Sequence, residues 1–200
     1  GYEGLLHQLE KAPKFGNDDD YVDLIAKRIL SDAGDYVAQF HTHYGAKFAT
    51  ACFAMTTNVM FGRLVGALPD GRKAGLPLSE GGISPYQGRN ISGAPATMRS
   101  VAKLDQVKLA LGSILNMRID PDAVKNDEKM DRMVSLLRTF CETGGNLVQF
   151  NFASNAMLRA AQKDPDQYRD LLVRVATYSA FFVELGPETQ EDIINRNELE

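Results

Sequence analysis

Leu171-Leu172-Val173-Arg174-Val175-Ala176-Thr177-Tyr178-Ser179-Ala180-Phe181-Phe182-Val183-Glu184-Leu185 organises the rest of the sequence around it. Leu171 to Val175 is strand-like, and Tyr178 to Leu185 is aromatic and apolar. Pro187 then opens a final helix, Glu188 to Asn195, anchored by Ile193 and Ile194. On the other side, Asn146 to Ala153 alternates Val148, Phe150 and Phe152 against Leu147, Gln149 and Asn151, the period of a strand. Both of its faces carry polar or bulky groups that need partners, which predicts an interior strand. Between the two strands, Ser154 to Lys163 reads as helix, and Asp164-Pro165 opens a shorter one through Tyr168. Upstream, Asn126 to Thr143 predicts a helix with Met130, Met133, Val134, Leu137 and Phe140 on one face and Gly144 past its end. Helices alternating with strands define an α/β architecture.

The N-terminal half is less regular. Gly1 to Lys11 is a short amphipathic helix with Leu5, Leu6 and Leu9, ending before Pro13. Asn17, Asp18, Asp19 and Asp20 form an acidic start for a second helix, whose apolar positions are Tyr21, Leu24, Ile25 and Ile29. A cation site is the competing reading of the acidic run, but the spacing is not that of a calcium loop. Phe48 to Phe61 is almost uncharged and β-like. From Gly62 to Gly93, glycines and prolines (Gly66, Pro69, Gly71, Gly75, Pro77, Gly81, Gly82, Pro85, Gly88) break every regular period. Scattered apolar residues there, Leu64, Val65, Leu68, Leu76, Leu78 and Ile83, favour an ordered loop over a solvated linker.

A net charge of −4 argues against a general nucleic-acid binder. No apolar run has the length of a membrane span. Cys52 and Cys141 are too few and too far apart for a disulfide framework or a zinc site, and buried packing is the default for each. Together these predict a reducing, cytoplasmic setting. His41 and His43, close to Tyr44, are a weak metal signal without further ligands, and a surface or loop role is the better reading. No resident cofactor or metal is expected. The start at Gly1, inside a helical pattern, implies a fragment or a processed chain. The residues alone lead no further than an α/β chain of unassigned activity.

A family resemblance goes further. Arg174-Val175-Ala176-Thr177-Tyr178-Ser179-Ala180, continuing through Phe181, Phe182, Gln190, Ile193, Ile194 and Arg196, resembles the C-terminal radical segment of glycyl radical enzymes of the pyruvate formate-lyase type. In that segment a glycine stands where this chain has Thr177. Gly144-Gly145 with Gln149-Phe150-Asn151 is similar to the strand before the radical loop. Gly66 to Gly75, Ser84-Pro85 with Gly88, Ser100 to Lys103 and Gly16 to Asp20 match further family signatures in the right order. The resemblance spans essentially the whole chain and is closer to the dehydratase, decarboxylase and lyase branch than to anaerobic ribonucleotide reductase, whose C-terminal cysteine cluster is missing.

This resemblance implies a ten-stranded α/β barrel of two half-barrels. Residues 1–120 would supply late barrel elements and the Gly/Pro-rich connection, and residues 121–200 the glycyl radical domain, with a loop at 174–180. In the family a radical S-adenosylmethionine activase, which carries an iron–sulfur cluster, takes a hydrogen atom from the glycine. The radical passes to a cysteine thiol and then to a small polar substrate. The site residues carried over are Thr177, at the radical position, with Arg174, Val175, Ala176, Tyr178 and Ser179 around it. The thiyl cysteine belongs upstream of this chain's start, and neither Cys52 nor Cys141 matches it.

Thr177 predicts a chain unable to store the radical, since a β-branched side chain crowds a flattened α-carbon and obstructs any glycine-only conformation. The alternative function is a non-catalytic homologue that binds a parent enzyme or the activase, or replaces a subunit's radical domain. A homo-oligomer, a cytoplasmic anaerobic setting with a microcompartment as an option, and aggregation of the isolated chain through exposed strand edges and apolar faces complete the expectations.

Overall fold

The computed structural model describes residues 1–80, 82–196 and 198–199; Gly81, part of the glycine-rich connection, lies outside them. The helices are α1 (Tyr2–Lys11), α2 (Asp20–Val37), α3 (Thr57–Leu64), α4 (Gly93–Ala102), α5 (Asp127–Glu142), α6 (Asn155–Lys163) and α7 (Pro187–Asn195). The strands are β1 (Leu115–Ile119), β2 (Val148–Phe152), β3 (Leu172–Arg174), β4 (Ser179–Phe181) and β5 (Glu198–Leu199). This is a mixed α/β fold.

Side chains set the helix boundaries. Asp19 accepts from the Tyr21 amide to start α2, Asn126 from the Lys129 amide to start α5, and Ser154 from the Met157 amide to start α6. The end of α5 is equally explicit. Gly144 takes a φ of 110°, open to glycine and strained for other residues, and the Gly145 amide returns to the Phe140 carbonyl. The chain then drops directly into β2.

Strands β2, β1 and β5 form a parallel sheet in that order. β1 pairs with β2 without offset, Leu115 beside Val148 through Ile119 beside Phe152. A parallel pair in this register puts equivalent residues on the same face. Leu115, Met117 and Ile119 therefore share a face with Val148 and Phe150. There they pack against α4 and α5 through Met98, Val101, Met133 and Phe140. The opposite face carries Asn116 and Arg118 beside Gln149 and Asn151. A second core is drawn from residues 153–194 and centres on Leu158, Val173, Val175, Phe182 and Ile193.

The acidic run at the start of α2 works as a helix start and also as a link to α4. The Asn17 carboxamide oxygen accepts from the Ile91 and Ser92 amides, and its NH2 donates to the Arg89 carbonyl. The Asp18 amide donates to Ser100 Oγ. Lys103, at the end of α4, pairs with Asp18, Asp20 and Asp23.

Several expectations are corrected. Phe48 to Phe61 is not a strand: the segment makes one isolated bridge, Cys52 with Ser113, and from Thr57 it is the helix α3. β2 lies at an edge of its sheet, and β1, which the sequence reading passed over, takes the interior place. Met130 and Val134 are exposed on α5, whose packed side runs instead through Met133, Leu136, Leu137 and Phe140. The described residues of the Gly/Pro-rich connection are ordered, as its apolar residues indicated. Its organiser is the buried guanidinium of Arg72, which donates to the carbonyls of Gly62, Val65, Gly66 and Lys73 and so closes the end of α3.

Candidate functional site

β3 and β4 form an antiparallel hairpin with Arg174 opposite Ser179, and residues 175–178 are its turn. The turn closes with a bond from the Val175 amide to the Tyr178 carbonyl. Val175 and Ala176 are fully buried, at 0% and 1% exposure, whereas Thr177, Tyr178 and Ser179 are exposed. One side of the turn is thus fixed in apolar packing while residue 177 is displayed at its tip.

The hairpin sits on the polar face of the β1–β2 sheet. Gln149 Oε1 accepts from Arg174 Nε at 2.8 Å, and the Asn151 carboxamide bonds both backbone groups of Arg174, donating to its carbonyl at 2.7 Å and accepting from its amide. Across the turn, Arg174 Nη1 donates to Ser179 Oγ at 3.2 Å. The other polar residues of the face are engaged as well. Arg118 donates to Asn155 Oδ1 and to the Arg196 carbonyl, and Asn116 Nδ2 donates to Glu80 Oε2 at 2.9 Å.

Glu80 opens onto a cavity of about 30 Å³ lined also by Ser84, Asn116, Arg118, Asp192 and Arg196. Burial pushes the Glu80 carboxyl upward, against the Arg196 guanidinium and the hydrogen bonds from Ser84 and Asn116. Nearby, buried Asp192 accepts from Asn58, Gln87 and Arg196, tying α7 to α3 and to the glycine-rich connection. Sequence reading gave Glu80, Asp192 and Arg118 no role. Gln149 and Asn151 were singled out only as part of a motif; the signal was polar residues two apart on a strand otherwise rich in apolar groups.

The structure gathers Arg174, Val175, Ala176, Thr177, Tyr178 and Ser179 into this one hairpin, Arg174 and Ser179 as its last paired residues and the others as its turn. It also removes one argument about Thr177. Among the described residues Asp18 is the only non-glycine with positive φ, so position 177 uses a backbone conformation open to any residue. The remaining physical objection is the Cβ itself. His41 and His43 lie in an exposed turn, His41 bridging to Lys47 and His43 against the Tyr44 ring. Cys141 is exposed, not buried, and Cys52 is half-buried, where desolvation raises its thiol pKa and opposes reactivity. Among the described residues no group of three or more His, Cys, Asp or Glu is arranged to hold a metal, and no helix is long and apolar enough to cross a membrane.

Comparison with known proteins gives this arrangement a family. The profile described as "Glycine radical" matches residues 79–183, and the one described as "Pyruvate formate lyase-like" matches residues 1–62. The chain belongs to the glycyl radical, pyruvate formate-lyase-like family, which is defined by a radical held on the protein.

Among its relatives, the probable dehydratase YbiW of Escherichia coli K12 is 40% identical over 98% of this chain and 26% of its own length. Trans-4-hydroxy-L-proline dehydratase of Clostridioides difficile is 39% identical over 99% of this chain and 25% of its own. The glycerol-bound B12-independent glycerol dehydratase from Clostridium butyricum superposes with a TM-score of 0.93 at 41% identity, over 98% of this chain and 25% of that one. The chain spans about a quarter of the length of these relatives.

Proposed function

We propose that this chain is the C-terminal part of a glycyl radical lyase or dehydratase, and that it cannot store the radical because Thr177 occupies the glycine's position. The observation that carries the reading is the tight 175–178 turn, which presents residue 177 at an exposed tip inside a segment matched by the family profile. In the intact enzyme, residues 1–120 would supply late elements of a ten-stranded barrel and the Gly/Pro-rich connection, and residues 121–200 would form the radical domain. The second core, drawn wholly from residues 153–194, supports treating that stretch as a unit, whereas α5 and β2 pack in the first core with α4 and β1. The profile match begins earlier, at residue 79, and takes in the later half of the connection and α4.

The chemistry would run in hydrogen-atom transfers. A radical S-adenosylmethionine activase, with its iron–sulfur cluster, would take one hydrogen atom from the glycine α-carbon. The unpaired electron would spread over the flanking amide and carbonyl, which requires a flattened backbone. A cysteine thiol upstream of this chain would then give its hydrogen atom back to the glycyl α-carbon, and the resulting thiyl radical would take a hydrogen atom from a small polar substrate. At Thr177 the side chain occupies the place of a glycine hydrogen, and its branched Cβ opposes flattening. The chain alone would therefore be inactive.

A second reading, a non-catalytic subunit docking on a parent enzyme or activase, is favoured by the apolar stripe that α2 leaves exposed at Tyr21, Leu24, Ile25 and Ile29. Either setting would be cytoplasmic and anaerobic, with a homo-oligomeric parent. The test is electron paramagnetic resonance of the Thr177 and Thr177→Gly forms after anaerobic treatment with activase and S-adenosylmethionine. Only the glycine form should give a radical doublet.

A further inference from the structure

In an antiparallel hairpin, residue pairs alternate between those that exchange backbone hydrogen bonds and those that do not. The Val175 amide bonds the Tyr178 carbonyl, and the Phe182 amide bonds the Leu171 carbonyl. Counting two residues at a time between these bonds makes Arg174 and Ser179 a non-bonded pair. The amide and carbonyl of Arg174 therefore point away from β4, toward the open edge of β3. No strand pairs with β3 on that edge among the described residues.

The Asn151 carboxamide fills this gap. It supplies one donor and one acceptor to the same residue, the two bonds that a paired strand residue would have made. Asn151 is buried, and on β2 it stands beside Arg118 of the interior strand, so its own position is fixed by the sheet. Arg174 lies three residues before position 177, and the turn between them is closed by its own hydrogen bond. We propose that Asn151 is the positioning residue for the 175–178 turn, holding the hairpin in register against the sheet and thereby setting where residue 177 stands. Gln149 assists by holding the guanidinium of the same arginine. The proposal rests on backbone geometry and stands whether or not position 177 ever carries a radical.

Two variants separate register from bulk. Asn151→Asp keeps the size and one acceptor but sets an oxygen against the Arg174 carbonyl; Asn151→Ser removes both contacts. Amide hydrogen exchange is followed by peptide in each, with α5 and β1 as internal references. A nitroxide on Tyr178→Cys, with Cys52→Ser and Cys141→Ser, reports turn mobility directly. Exchange in residues 172–181 should accelerate on the order of tenfold in both variants, and the nitroxide spectrum should sharpen, while α5 and β1 keep their rates. Unchanged exchange in residues 172–181 would overturn the proposal. Equal acceleration throughout the chain would also overturn it, since Asn151 would then be only a general stabiliser. Neither readout involves the activase, so the radical assignment and this one fail separately.

Discussion

The ammonium group of Lys103 lies 2.9 Å from a carboxylate oxygen of Asp23, a side chain with no exposed surface. The pair joins the end of α4 to the first turns of α2, and Ser100 Oγ donates to the same oxygen at 2.9 Å. Removing the cation leaves a buried carboxylate with one neutral donor. Lys103→Met is expected to destabilise the chain by about 1.5–3 kcal/mol, the usual worth of a hydrogen bond to a charged group. Lys103→Arg should lose less. Urea unfolding of the three forms measures both.

The same cluster has a defined pH dependence. The hydrogen bond from Lys103, opposed by burial and helped by Arg99, holds the Asp18 carboxyl below the ordinary range. Partial burial works against the Lys103 charge, but hydrogen bonds to Asp18, Asp20 and Asp23 outweigh it and raise its pKa. A depressed carboxylate contributes stability above its unfolded pKa of about 3.9 and loses it as pH falls through the folded value. A raised lysine contributes below its unfolded pKa of about 10.4 and loses that as pH rises through the folded value. The melting-temperature difference between the native chain and Lys103→Met should therefore be flat between these limits. It should shrink below about pH 3.9 and above about pH 10.4.

The helices with side-chain caps were legible in the sequence because a cap is local. Asp19, Asn126 and Ser154 each announce a start within three residues of the amide they bond. β1, α4, α3 and the two-residue β5 were not legible. β1 reads Leu-Asn-Met-Arg-Ile, which does alternate, but Ile119 is its only β-branched residue and it has no aromatic one, and the hydrogen-bond partners of its polar face lie far away in sequence. α4 carries Gly93 and Pro95 in its first turn, where proline fits a helix yet reads as a breaker. At α3, apolar composition suggested a strand, while the close fit of Gly62 under the Leu76 carbonyl and the Arg72 cap belong to tertiary structure. For the candidate site, position 177 is proposed from the motif alone. The roles of Asn151 and Gln149 required the register of two sheets.

That fit gives a direct test of the connection between residues 62 and 93. A Cβ at Gly62 would lie 2.2 Å from the Leu76 carbonyl oxygen, whereas one at Gly66 would meet nothing within 4 Å. Gly62→Ala should cost about 1–3 kcal/mol through overpacking. Gly66→Ala should stay within about 0.5 kcal/mol of the native chain. Thermal or urea unfolding distinguishes them.

The exposed stripe on α2 should govern how the isolated chain behaves. Tyr21, Ile25 and Ile29 follow one another at intervals of four, and Met60, Phe61 and Leu64 of α3 are exposed as well. Self-association, read by light scattering against concentration, should fall when Tyr21, Ile25 and Ile29 are replaced together by lysine. The melting temperature should change little, because these side chains contribute little to either core.

The central claim is that one side chain at position 177 separates this chain from a radical-storing one. Anaerobic electron paramagnetic resonance, after treatment with a cognate activase and S-adenosylmethionine, compares the native chain with Thr177→Gly. The expected result is a glycyl-type doublet in the glycine form and none in the native chain. A protein radical at position 177 in the threonine form would contradict the account.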